Sequence, residues 1–450
     1  MRFRALSLFA VLTACASTGP QTPTPSTAPT ASTPVPQQHP EISAPTANAP
    51  AATPASPATN PVPITAYGDF DAWKQDFIKK AVMRGFDAGF VTAALDGVQP
   101  LQSVKSADNQ QPEFSKPASS YMRQAVSPAR AAAARARVEA NTNVPAIEAK
   151  YGVPKCLLGG IWSMESDLGR VQGSTDVLAA LATLAFDGRR RVWAEDQLIA
   201  ALTILRDHKI PRERLKGSWA GAMGQTQFMP DSYLRLGADG DGDGIVDIWA
   251  SDSDALASSA NLLAKEGWKA GQEWAVEVIL PPGFDYYLAE TEKTKKPADW
   301  QALGVKRADG GYFRPEELNE NGIILLPSGA NGPAFMALPN HYVIRKYNNS
   351  TSYALAVGLL ADGVCGKDST VTPWPVEPPL SLDQRMKTQE ALKAAGFNPG
   401  TIDGVIGVGT RQAIREWQKA NNEPADGYLS FDLANRFVVM QGGTPAVRPS

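Results

Sequence analysis

The chain has 450 residues, with 43 Lys and Arg against 46 Asp and Glu. That length leaves room for two or three domains at roughly 100–200 residues each. Charge is nearly balanced and no dense basic block occurs, which argues against a nucleic-acid partner.

Arg2 and Arg4 precede an apolar stretch from Ala5 to Leu12, which the run Leu12-Thr13-Ala14-Cys15 closes. The stretch falls short of the ~20 residues of a membrane-spanning helix. This arrangement resembles a bacterial lipoprotein signal, with small residues before a cysteine whose thiol takes lipid after cleavage. The resemblance implies lipidation at Cys15 and a mature chain facing the cell envelope. Ala16, rather than Asp, in the next position points to the periplasmic face of the outer membrane. The residues alone leave open an ordinary secretory signal or a short buried helix. Residues 16–66 are dominated by Pro, Thr, Ala and Ser. They bury too little apolar surface to offset ordering entropy, and the segment reads as a tether. No second long apolar run follows, so contact with a membrane is expected only through the anchor.

At Tyr67 the texture changes. Phe70, Trp73 and Phe77 recur at helical spacing, and helical patterns continue to about Lys265. From about Glu273 to Arg345, short runs such as Trp274–Leu280 and Ile323–Leu326 are bounded by Pro and Gly and read as strands. Helix returns at Tyr353–Val357. Residues 367–380 form a Pro-rich, stiff linker. A compact unit follows at 381–439, with a tail at 440–450. The fold class expected is mainly α (α+β), with a small β insertion at about 273–345 in the lobe that spans 67–366. Besides Cys15, two cysteines remain, Cys156 and Cys365. Outside the cytoplasm such a pair can oxidise; separate buried thiols are the other reading.

The segment from Val153 to Gly169 reads as one helix, with Pro154 in its first turn and Gly169 at its end. Leu158, Ile161, Trp162, Glu165 and Leu168 follow each other at intervals of three and four, so Glu165 lies on the apolar stripe. Desolvation there raises a carboxyl pKa, as a general acid working near neutrality requires. The alternatives are a structural glutamate paired with an arginine, or a stripe that stops at Ile161. Further on, Asp239, Asp241, Asp243 and Asp247 occupy positions 1, 3, 5 and 9 of an EF-hand-like loop. Gly244 stands at 6 and Ile245 offers a carbonyl at 7. Position 12 is Ala250 instead of Glu, and Asp252 follows two residues later. The loop is a candidate for structural Ca2+; an Asp/Gly-rich turn is the bland reading.

Ile161-Trp162-Ser163-Met164-Glu165-Ser166-Asp167-Leu168-Gly169 resembles the catalytic-helix motif of family B lytic murein transglycosylases. Leu181–Phe186, Gly217–Tyr233 and Lys346–Tyr353 resemble that family's other signatures, in the expected order. The resemblance implies a lysozyme-like, α-rich lobe with an inserted β subdomain. It also implies cleavage of the β-1,4 bond between N-acetylmuramic acid and N-acetylglucosamine, with no cofactor required for the chemistry. Peptidoglycan glycan strands would be the partner. By the same resemblance Glu165 is general acid and then base. Ser218 and Asn348 hold the N-acetyl group, and Gln227, Tyr347 and Tyr353 line the groove. Arg190 and Arg191 match an arginine pair suited to carboxylates, although Arg189 allows a slip of one residue. A hydrolytic muramidase would need a second carboxyl, and Asp167 projects from a different helix face. A non-catalytic wall-binding scaffold is the rival of another class.

In the C-terminal unit, Thr410 is expected to N-cap a helix carrying Ala413, Ile414 and Trp417, ahead of Asp426-Gly427 and Leu433. This unit resembles the three-helix peptidoglycan-binding domain. A second weak site on the same polymer would raise effective concentration at the first.

Overall fold

The helix Lys155–Ser166 is the element around which the lobe is assembled. Its residues from Cys156 to Met164 are all buried, and helices Pro128–Ala140, Val144–Tyr151, Asp252–Lys265 and Thr351–Val364 pack on it. The computed structural model describes residues 67–109, 117–290, 294–367 and 370–448. The leader with Cys15 and the tether at 16–66 therefore lie outside the described residues.

Two adjacent glycines explain how tightly this bundle closes. A Cβ on Gly160 would stand 3.0 Å from the Val357 carbonyl oxygen, and one on Gly159 would stand 3.2 Å from Val138 Cγ1. Glycine inside a helix costs about 0.5–1 kcal/mol relative to alanine. Here it lets helix Thr351–Val364 approach to backbone contact. Cys156, in the first turn of the central helix, is bonded to Cys365 at the end of that partner helix, with Cα atoms 5.5 Å apart.

The central helix is shorter than its sequence pattern predicts. It stops at Ser166, and Asp167, Leu168 and Gly169 take left-handed φ values of 50°, 60° and 83°. The Asp167 amide returns to the Ser163 carbonyl at 3.1 Å and the Leu168 amide to that of Trp162 at 3.2 Å. Leu168 is thus buried from a turn and not from the helix stripe.

The β insertion is a four-stranded antiparallel sheet in the order Lys306–Arg307, Ala275–Ile279, Ala334–Ala337, Ile323–Leu325. Ala275 pairs with Ala337 and Leu325 with Phe335. Alternation assigns the faces. Ala275, Leu325, Phe335 and Ala337 join the main core. Val276, Val278, Ile324 and Met336 close a second core with Trp300. The strand texture expected up to Arg345 ends early, because Pro339–Tyr347 is a helix. Pro339 supplies its first-turn φ, and tertiary packing overrides the β preference of Tyr342-Val343-Ile344.

The C-terminal unit consists of helices Leu382–Ala394, Val408–Ala420 and Phe431–Met440. They close over Leu392, Ile414, Trp417, Leu433 and Phe437, with the Trp417 and Phe437 rings edge to face at 4.8 Å. The expected cap is corrected: Gly407 is the N-cap. Thr410 lies inside the first turn, buried, with its hydroxyl donating to the Pro399 carbonyl at 2.9 Å. Among the described residues no helix is long and apolar enough to cross a membrane.

The 209-residue span closed by the disulfide makes it a strong constraint on the unfolded chain. Cys365→Ser is expected to lower unfolding free energy by ~2–5 kcal/mol. Urea denaturation of both proteins checks this, and dithiothreitol should shift the wild type alone.

Candidate active site

Glu165 sits in the last turn of the central helix. Its Oε1 accepts a hydrogen bond from the Tyr353 hydroxyl. Tyr353 stands in the first turn of helix Thr351–Val364, which Ser350 caps by accepting the Tyr353 amide at 3.3 Å. The glycine-mediated approach of the two helices is what brings this hydroxyl to the carboxyl. Tyr347 closes the same wall, donating to the Thr226 carbonyl at 2.7 Å and lying 3.2 Å from Ser259 Oγ.

The electrostatics follow from this geometry. Glu165 is half-buried by surface area, and protein crowds its carboxyl on most sides. That desolvation pushes its pKa up to about 7, against a smaller downward pull from the Tyr353 hydroxyl. Tyr347 and Tyr353 are raised well above their usual range, first by burial and then by the Glu165 charge. Tyr353 therefore remains a donor at any physiological pH.

Neighbouring groups fix the helix end. The Trp162 indole N–H donates to Gln225 Oε1 at 2.8 Å. A Cβ on Gly169 would meet that same oxygen at 2.4 Å, so only glycine lets the turn close over Gln225. Arg130 donates to the Ser163 carbonyl at 2.6 Å, where a cation complements the helix C-terminus. Asp167, the nearest carboxylate in sequence, is ion-paired with Arg170 at 2.5 Å.

The loop after Gly217 is held from within. Ser218 Oγ accepts the amides of Ala220 at 3.3 Å and Ala222 at 3.1 Å, which leaves its own proton to donate. Gln227 takes φ 51°. Its Nε2 donates to the carbonyls of Gln172 at 3.0 Å and Gly224 at 2.8 Å, leaving its amide oxygen. Asn348 is buried at the end of helix Pro339–Tyr347, one residue after Tyr347. Arg190 Nη2 bonds Asp108 Oδ1 at 2.5 Å and stacks 5.0 Å from the Trp193 ring centre, with Trp219 at 5.9 Å. Arg189 Nε also holds Asp108, at 3.1 Å. Arg191 is different: it is 8% exposed, donates to the Ala185 carbonyl at 3.0 Å and lies over Tyr67. The turn at Gly188, with φ 91°, carries Arg191 into the helix and toward the core, so the expected pair of Arg190 and Arg191 is divided, with Arg190 beside Arg189 on Asp108.

The Asp-rich loop gathers a different carboxylate set from the one expected. Asp239, Asp241 and Asp254 each bring a carboxylate oxygen within 4.8 Å of the others. Asp243 instead caps the Ile245 amide at 2.7 Å. Asp247 accepts the amides of Trp249 and Ala250, both at 3.0 Å, and pairs with Arg214. Asp252 points away to Arg137 at 2.6 Å. Asp254 reaches in from the first turn of the next helix and accepts the amides of Gly240 at 2.8 Å and Asp247 at 2.7 Å. Burial pushes its carboxyl up, and the Asp241 charge adds to this. Sequence reading missed Asp254, Asp108 and Gln225. Only Asp254 left a local trace, three residues after the capping Ser251.

The family model described as a transglycosylase SLT domain matches residues 69–362, and a peptidoglycan binding domain model matches 381–436. Membrane-bound lytic murein transglycosylase B of Escherichia coli (strain K12) is 36% identical over 224 residues, 48% of this chain. The aligned region spans 58% of that relative's length. Among solved structures, SltB3 from Pseudomonas aeruginosa in complex with NAG-NAM-pentapeptide is 45% identical, with a TM-score of 0.78. The match covers 82% of this chain and 100% of that one. The Escherichia coli lytic transglycosylase Slt35 in complex with calcium is 32% identical with a TM-score of 0.56, covering 65% of this chain and 92% of its own. The chain therefore belongs to the SLT transglycosylase family, on a mainly helical, lysozyme-like fold with a C-terminal peptidoglycan-binding domain.

Proposed function

We propose that this chain is a lytic murein transglycosylase that cleaves the β-1,4 bond between N-acetylmuramic acid and N-acetylglucosamine in peptidoglycan and leaves 1,6-anhydromuramic ends. The observation that carries the reading is a single desolvated carboxyl, Glu165, poised near pH 7 and held by Tyr353. Ordinary glycosidases use two carboxyl groups, the second as nucleophile or to activate water. Here Asp167 is ion-paired with Arg170. A nucleophile from the sugar itself removes the need for a second carboxyl.

The steps balance with one proton carrier. Protonated Glu165 gives its proton to the glycosidic oxygen as the C1–O4 bond breaks, releasing the 4-hydroxyl of the leaving sugar. The muramic acid O6 attacks C1, and its proton passes to the Glu165 carboxylate, which restores the acid. Ser218 would donate its free proton to the N-acetyl carbonyl, with Asn348 beside it. The Gln227 amide oxygen, Tyr347 and Trp219 would border the sugar, and Arg189 and Arg190 suit stem-peptide or lactyl carboxylates.

Asp239, Asp241 and Asp254 fit a hard divalent cation such as Ca2+. It would brace the loop behind Gly217–Tyr233 and take no part in catalysis. A lipid on Cys15 would hold the protein at the periplasmic face of the outer membrane. An extracytoplasmic compartment is consistent with the Cys156–Cys365 bond. The mass of the mature N-terminal peptide tests the lipid; an unmodified Cys15 would sink it.

Mass spectrometry of digested sacculi tests the chemistry. The expected products are one water lighter than hydrolysis products, and Glu165→Gln should lose ~10²–10⁴ in rate. Reducing ends would turn the protein into a muramidase, and retained binding with no cleavage into a scaffold. The required acid is present below its pKa and lost above it, so activity should fall as pH rises through about 7. The Tyr353 hydroxyl favours the ionised form, so Tyr353→Phe should move that limb to higher pH while lowering the maximal rate. For the cation, Ca2+ should raise the thermal midpoint of the wild type. Asp254→Asn should abolish the increment; an equal shift in both proteins would remove the site.

A further inference from the structure

The C-terminal domain does not hang from a free linker. Leu326, in the β insertion, donates its amide to Glu290 Oε1 at 3.0 Å. The other oxygen of the same carboxylate, Oε2, receives Arg411 and, at 3.1 Å, Arg415, both on helix Val408–Ala420 of the C-terminal domain. Around this point the two parts interlock. Ala330 donates its amide to Asp426 Oδ2 at 2.8 Å. Gln412 Nε2 donates to the Tyr287 hydroxyl at 3.1 Å, and Lys419 Nζ lies 4.4 Å from the Tyr287 ring centre. A Cβ on Gly329 would meet Asp426 Oδ2 at 2.7 Å and Tyr428 Cβ at 2.8 Å, so the surfaces meet without room for a side chain.

The connecting segment is pinned as well. The amides of Val371 and Thr372 both donate to the Glu277 carboxylate at 2.7 Å. Trp374 stacks on Phe335 at 6.0 Å, and Arg123 holds the Pro375 carbonyl at 3.0 Å. Proline-rich linkers are stiff in any case, and these contacts hold the described residues from Val371 to Pro375 further.

We infer that Glu290 is a positioning residue, a latch that holds the wall-binding domain at a set distance from Glu165 so that one polymer strand is engaged at both sites. The inference rests on the transglycosylase reading. Its basis is the asymmetry of the joint: one carboxylate, anchored by a backbone amide on the insertion, satisfies two cations of the other domain. Arg415 is 5% exposed at its side chain and Arg411 26%. Removing the Glu290 charge strands a buried guanidinium, which costs far more than losing a surface pair. A fixed offset benefits only a substrate long enough to span both sites; a short glycan sees the groove alone.

The test uses the full chain with Glu290→Gln, and separately Arg411→Gln, which leaves the insertion untouched. Hydrogen exchange at the Ala330 amide reports the joint directly, without reference to activity. In both variants it should speed up, the half-saturating concentration of sacculi should rise roughly tenfold, and turnover of a soluble tetrasaccharide should stay within about twofold. Unchanged exchange would show that Glu290 is not the latch. Faster exchange with unchanged sacculus kinetics would show that fixed placement does not serve catalysis. Equal loss on both substrates would reduce Glu290 to a structural support of the insertion. If the wild type cleaves neither substrate, the enzymatic reading fails while the exchange result still decides the latch.

Discussion

The candidate active site depends on one hydrogen bond, from Tyr353 to Glu165, between two helices pressed to backbone contact. Gly160 permits that distance, because a Cβ there would crowd the Val357 carbonyl at 3.0 Å and Ala361 at 3.3 Å and push the helices apart by a few tenths of an ångström. With the helices further apart, the carboxyl would gain water and lose its donor together. Its present state is a balance of opposed effects: burial raises its pKa, the tyrosine lowers it, and burial wins, to about 7. The disulfide ties the far ends of the same two helices, so the contact is held both chemically and by packing.

The loop after Gly217 borders this site, through the Tyr347 hydroxyl on the Thr226 carbonyl, and loops carry function only when something else makes them rigid. Here the rigidity is local. Gly217 and Ala222 approach so closely that a Cβ on the glycine would sit 2.0 Å from the Ala222 carbonyl oxygen. Met223 and Phe228 exchange both backbone bonds, at 2.8 and 3.2 Å. Behind the loop, Asp254 satisfies two amides of the Asp-rich turn. That turn keeps its shape through Asp254, and a cation would add to the arrangement without creating it.

Legibility in the sequence divides along physical lines. Glu165 was readable because helix periodicity places it on an apolar face within a dozen residues. Its partner Tyr353 is 188 residues away, and no local pattern joins the two; only motif resemblance did. The pairing of Cys156 with Cys365 was open for the same reason. Three consecutive arginines have no internal landmark, so the turn at Gly188 decided which two face Asp108. Asp254 was hidden because it belongs to the next helix, beyond the twelve positions of the loop pattern. The strand reading overran to Arg345 because β-branched and aromatic residues fill a helix whose start Pro339 determines. The three-helix C-terminal unit was legible from its apolar spacing, but its docking was not, since Glu290 and Arg411 reveal nothing about each other until the domains are folded.

A reaction in which the substrate supplies its own nucleophile changes what the protein must control. No water has to be held in line with the breaking bond, so a second carboxylate would add only repulsion and a route to hydrolysis. The demand moves to the sugar, whose O6 must reach its own C1 while the leaving oxygen faces Glu165. That calls for polar groups already locked before the strand arrives, because ordering them during reaction would cost free energy at the barrier. The site has this character. Gln227 has spent its amide nitrogen and Ser218 its acceptor sites on their own loop, and Tyr347 has spent its proton on Thr226. Each keeps one defined function to offer, in one orientation. Under the proposed reaction, these internal bonds are what would let a single carboxyl suffice.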